Sequence, residues 1–63
     1  MTKVQWRAIY DYCDEYGFDS LNDLLGVLRA NGTVERDTTL SELGYYVNGK
    51  TYDDMYLFLE ENI

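Results

Sequence analysis

Apolar residues recur at a helical period in three stretches of this chain. From Lys3 to Tyr16, a wheel of about 100° per residue gathers Trp6, Ala8, Ile9, Tyr12, Cys13 and Tyr16 on one broad arc, with Lys3, Arg7, Asp11 and Asp14 opposite. Thr2 followed by Gln5 is a T-x-x-Q capping box that starts this first helix, and Gly17 is a natural stop. The second stretch has the cleanest pattern: Leu21, Leu24, Leu25 and Leu28 at i, i+3, i+4 and i+7, opened by Ser20 and closed by Asn31-Gly32. The third begins after Thr51, whose hydroxyl has Asp54 three residues on. It places Tyr52, Met55, Tyr56, Phe58, Leu59 and Ile63 on the inner face.

The segment between the second and third helices carries mixed signals. Thr33-Val34-Glu35 can form a short strand. Thr39 with Glu42 is another capping box, but Gly44 follows so closely that about a turn and a half of helix fits. In YYVNGKTY, residues 45–52, an Asn-Gly pair separates a Tyr-Tyr-Val run from a Lys-Thr-Tyr run, the strongest short-range hairpin signal there is. The competing reading makes the same segment a loop that delivers Thr51 as a helix cap. The fold class expected is mainly α with a small β-hairpin (α+β). It comprises three main helices over about 3–16, 20–30 and 52–62, a short helical turn near 39–43 and an Asn-Gly hairpin near 45–52, all in one domain of residues 1–63.

Length and composition limit what such a domain can do. A chain of 63 residues buries only ~60% of the surface it exposes when unfolded, so its core is thin. Cys13 is the only cysteine and histidine is absent, which rules out an internal disulfide and the usual zinc site. These features point to a reducing compartment. No run approaches the ~20 apolar residues of a membrane span, and acids come too early for a leader. A cytoplasmic protein with no membrane partner is expected, its brevity suggesting a bacterium, a phage or a mobile element.

Twelve acids against five bases give a net charge of −7, a field that repels phosphates and attracts basic surfaces. Most of the acids have local roles. Asp19, Asp23, Glu42, Asp53 and Asp54 sit at helix starts, where each stabilises the macrodipole by ~0.3–1 kcal/mol. Asp11 and Asp14 share a face with Lys3 and Arg7, and Glu35 and Asp37 flank Arg36. Glu15, Glu60 and Glu61 lie in last helical turns, where negative charge opposes the dipole and no base is within helical reach. Leu57 is the apolar residue that the third helix does not use. It falls opposite the Met55, Leu59, Ile63 face, framed by Asp53, Asp54, Glu60 and Glu61, as an anchor inside a polar rim would be. Of the seven tyrosines, Tyr10, Tyr45 and Tyr46 are the surface candidates.

Catalysis lacks its parts. There is no His for proton transfer, no Ser-His or Cys-His pair, no phosphate loop and no calcium-loop spacing between Asp14 and Asp23. Cys13 on an apolar arc reads as a core residue. No enzyme activity, cofactor or metal is expected.

The function expected is that of a small acidic protein-binding module, an inhibitor or adaptor. It would dock on a basic and even nucleic-acid-binding surface of a partner, as a nucleic-acid mimic does. The docking residues expected are Leu57, Glu60, Glu61, Asp53 and Asp54 on the third helix and Tyr10, Asp11 and Glu15 on the first. Two other readings exist. One is a winged-helix nucleic-acid-binding domain with Asn48-Gly49 at the wing tip, against which stand five scattered bases and hence no expected direct nucleic acid partner. The other is an oligomerising component of an assembly, with a second copy as the partner.

Overall fold

The computed structural model describes residues 1–63 and contains helices only. Three are α-helices, α1 (Lys3–Tyr16), α2 (Leu21–Ala30) and α3 (Tyr52–Asn62); a 3₁₀ helix spans Leu40–Tyr46. The order of capping residues in the sequence sets these boundaries. Gln5 N–H donates to Thr2 Oγ1 (3.2 Å) while Thr2 N–H donates to Gln5 Oε1 (3.0 Å), which closes the first box. Asp23 N–H donates to Ser20 Oγ, and α3 opens with a reciprocal box between Thr51 and Asp54. The chain leaves α1 at Gly17, in the left-handed region at φ 77°.

The expected hairpin is absent, and the fold is all-helical rather than α+β. Both strands are taken by helix caps. Thr39 N–H and Oγ1 donate to Glu42 Oε1, and the 3₁₀ helix that starts there runs through Gly44 and absorbs Tyr45 and Tyr46. It is longer than the turn near 39–43 that the sequence suggests. Gly44 does not stop it because its missing side chain serves packing: a Cβ there would lie 3.2 Å from Gln5 Oε1 and 3.5 Å from Met1 Cα. On the other side, the Thr51 box claims Thr51 and Tyr52 for α3. Nor is there a primed turn. Asn48 does not adopt positive φ, which a type I′ turn requires, and Gly49 N–H donates to Val47 O in a tighter bend. The winged-helix reading thereby loses its wing. Thr33-Val34-Glu35 is likewise not a strand; Val34 is simply a core residue.

Only 13 of the 63 residues are buried, so the core is as thin as the length implies. Ala8, Ile9, Tyr12 and Cys13 of α1, Leu24, Leu25 and Leu28 of α2, Leu43 of the 3₁₀ helix, and Met55 and Leu59 of α3 meet there with Val34. Two buried polar residues are both satisfied. Gln5 also donates through Nε2 to Gly49 O (3.2 Å), and Thr38 Oγ1 pairs with Tyr46 Oη (3.1 Å). No helix is long and apolar enough to cross a membrane.

The most extensive packing is between α1 and α3, and these two helices run in the same direction. The start of α1 meets the start of α3, through Thr2 Oγ1 to Lys50 O and Gln5 Nε2 to Gly49 O. One turn of α1 then matches one turn of α3: Asp11 faces Tyr52, and Glu15 faces Tyr56. A parallel pair needs a long crossover, and residues 17–51 with α2 and the 3₁₀ helix provide it.

Candidate functional site

The parallel packing of α1 on α3 builds a two-rung ladder. Tyr52 and Tyr56 stand one turn apart on α3 with their rings stacked, centroids 5.9 Å apart and planes 15° from parallel. Tyr52 Oη donates to Asp11 Oδ2 at 2.7 Å, and Tyr56 Oη donates to Glu15 Oε2. The carboxylates are one turn apart on α1, so the two pairs repeat along the helix axes. The hydrogen bond to Asp11 raises the Tyr52 phenol above its ordinary value, and the bond to Glu15 raises that of Tyr56 more strongly, with partial burial adding to both. Both phenols stay protonated as donors and hold the carboxylates in place.

Parallel packing also brings the finishing ends of α1 and α3 together at one pole of the molecule. Each helix presents the negative end of its macrodipole there, neither has a base in its last turn, and both carry acids. Tyr12 senses the combined field: burial raises its phenol first, and Tyr16, Glu60, Cys13 and Glu15 raise it further. The Tyr52 end differs, because the charge of Arg7 offsets part of the local field. The uncompensated end is therefore that of Glu15, Tyr56 and Glu60.

Apolar surface is exposed along the helix pair that leads to this pole. A shallow groove between α1 and α3 has Tyr52, Tyr56 and Leu57 as its apolar lining, with Asp11, Glu15, Asp53 and Glu60 around them. Leu57 is 54% exposed and stands on a stripe with Asp53 and Glu60 at i, i+4 and i+7. A neighbouring groove is lined by Tyr12, Tyr16, Phe18 and Ile63, and Glu60 borders both. Tyr16 and Ile63, expected on the buried arcs, are exposed. They lie beyond Cys13 and Leu59, the last buried residues of their helices, where the core ends.

Five of the eight expected docking residues thus come together: Asp11, Glu15, Asp53, Leu57 and Glu60 line one groove. Asp54 and Glu61 lie on the other flank of Leu57, in a groove that also includes Phe58 and Tyr46, and Asp54 is occupied by the Thr51 cap. Tyr10 stands apart. It is exposed and packs against Trp6 at 6.3 Å between ring centroids. Tyr52 and Tyr56 are the site residues that the sequence pattern concealed. Their helical spacing marks them as inner-face residues, and they are indeed half-buried, but their hydroxyls reach the rim. The available signal was the matching i, i+4 step of Asp11 and Glu15 on α1.

No cluster of three or more Cys, Asp or Glu side chains is arranged to hold a metal ion. Cys13 is buried, and burial raises its thiol pKa, so it is held in the unreactive form. No family model, curated protein or solved structure matches the chain.

Proposed function

We propose that this chain is a protein-binding module that docks its acidic pole on a basic surface of a partner protein, acting there as an inhibitor or adaptor and not as an enzyme. The observation that carries this reading is the exposed Leu57 set in the α1–α3 groove among Asp11, Glu15, Asp53 and Glu60. An apolar anchor inside a polar rim is the anatomy of an interface, and the rim here has a single sign. The macrodipoles of two parallel helices deepen that sign at Glu15 and Glu60, which stand in the last turns of α1 and α3. A carboxylate-lined surface of this kind is what a basic, phosphate-binding surface accepts, so nucleic-acid mimicry is the specific form of the proposal. The cytoplasm is the compartment that suits a chain whose one thiol is free and buried.

The test is capture of a partner from a lysate of the encoding organism, using the native chain and the variant Leu57→Lys, Glu60→Lys, Glu61→Lys side by side. A protein retained by the native chain, lost from the variant and released as salt rises supports the reading. Equal retention by the two chains, with the variant's helical circular dichroism intact, refutes this surface as the docking site. Retention indifferent to salt refutes the electrostatic basis.

A further inference from the structure

Within that docking reading, on which the following rests, the pole has a more specific chemistry. We infer that it receives an arginine side chain from a basic, apolar-bearing segment of the partner. The guanidinium would lie on the exposed part of the Tyr56 ring between Glu15 and Glu60, and the apolar part of the segment would cover Leu57.

Charge complementarity selects the occupant. The site has negative charge from Glu15 and Glu60 and from the ends of two helices, with no base in either last turn. A second copy of this chain brings a further net charge of −7 and is repelled, as is any nucleic acid. A metal ion finds no cluster of three ligands. What remains is a cationic protein segment.

The shape and the hydrogen bonding then favour arginine over lysine. The groove is shallow, and its apolar lining is Leu57 and two near-parallel phenol rings. A planar, weakly hydrated guanidinium lies flat on such a face and still directs N–H groups sideways to carboxylates, whereas an ammonium is a compact, strongly hydrated charge. Tyr56 holds Glu15 by Oε2 and leaves Oε1 to receive the incoming donor. A carboxylate fixed in advance loses less side-chain freedom on binding, which favours the tighter geometry of the fork. Asp11 is the poorer seat for the same group, because Arg7 already offsets the field beside Tyr52.

The experiment titrates the isotopically labelled full chain with two peptides of equal length, charge and leucine content, one with arginine at every basic position and one with lysine. At low ionic strength the arginine peptide is expected to bind at least about tenfold more tightly, the scale of one hydrogen bond to a charged group. The shifted amides are expected at Glu15, Tyr56, Leu57 and Glu60. Glu15→Gln should abolish the preference, and Glu35→Gln, in the loop before the 3₁₀ helix, should leave it intact. Equal affinities with shifts at the same pole would overturn the arginine inference and leave acidic docking standing. Binding by neither peptide, or shifts confined to another face, would overturn both. A tenfold preference surviving in both Glu15→Gln and Glu60→Gln would also overturn the inference, since no carboxylate would then be reading the fork.

Discussion

At their starting ends α1 and α3 are joined by hydrogen bonds from Thr2 and the buried Gln5 to the backbone just before α3, whereas farther along the same helices the side-chain hydrogen bonds between them are phenol–carboxylate pairs at the surface. Gln5 is the hinge of the first arrangement. It is 1% exposed, its Oε1 accepts from Thr2 N–H and its Nε2 donates to Gly49 O, while Thr2 Oγ1 reaches Lys50 O. Every buried side-chain nitrogen and oxygen there has a hydrogen-bond partner. At the other end Glu15 and Glu60 face solvent, Leu57 and Tyr16 are exposed, and like charges accumulate against two helix dipoles. A single helix pair thus carries its structural closure and its unsatisfied surface at opposite ends. Closure by internal hydrogen bonds uses up the buried polar groups of Gln5, although Tyr45 stays exposed beside them. Charge without internal compensation stabilises nothing locally, and this is why the finishing end is the one that reads as a docking surface.

The closed starting end is most vulnerable at Gly49. Its φ of 120° lies where side chains are strained, and a Cβ would come within 2.1 Å of Asp54 Oδ2, so the Thr51–Asp54 cap would have to open. Gly49→Ala is expected to cost ~2–3 kcal/mol, combining backbone strain with a lost cap. In a domain of this size that lowers the melting temperature by roughly 10–20 °C. A loss in calorimetry under a quarter of that would mean the starting ends are not closed as described.

Gln5→Leu is the next largest perturbation. It keeps an apolar body in the site but leaves Thr2 N–H and Gly49 O without their partner, a cost of ~2 kcal/mol after the leucine's own burial is set against it. The sharper observable is local. Amide exchange should accelerate at the starts of both α1 and α3, because one side chain serves both. Faster exchange in α1 alone would show that the two helix starts open independently and that Gln5 does not join them.

The starting ends were largely legible in the sequence and the finishing ends were not. Thr2–Gln5, Ser20–Asp23 and Thr51–Asp54 are local rules that the structure obeys, and with the leucine spacing of α2 they bound all three α-helices. Leu57 is likewise visible on a helical wheel. The hairpin failed because Asn48-Gly49 is a local signal flanked by two stronger ones: the caps at Thr39 and Thr51 extend helix into both of its strands. That Asp11 and Glu15 face Tyr52 and Tyr56 is a tertiary fact. It depends on α1 and α3 being parallel, and no periodicity within one helix encodes the direction of another. Asp11 has a local explanation in Lys3 and Arg7, and Tyr52 and Tyr56 have one in the core, so neither pattern by itself points to the other.

The smallest effect, and the one that most sharply isolates the finishing end, is the alkaline behaviour of Tyr56. Its phenol is raised above the ordinary 10.0, first by the bond to Glu15 and then by partial burial and by the charges of Glu15, Tyr16 and Glu60. A phenol whose value is higher folded than unfolded keeps its proton in the native state while the unfolded chain is already losing it. Its stabilising contribution is therefore complete below about pH 10 and declines as pH rises toward the folded value. Native protein should lose stability in urea as pH rises from about 10 to about 11. Tyr56→Phe should lose less over the same window, because the ring remains and only the titrating hydroxyl is gone. Tyr52→Phe should show the same sign, since the bond to Asp11 raises that phenol too, but a smaller change, its shift being the weaker of the two. Gln5→Leu, at the opposite end, should reproduce the native pH slope from a lower starting stability. If Tyr56→Phe instead kept the full native slope, the Tyr56–Glu15 bond would not hold in solution, and the carboxylate at the pole would lack the fixed orientation that the docking surface requires.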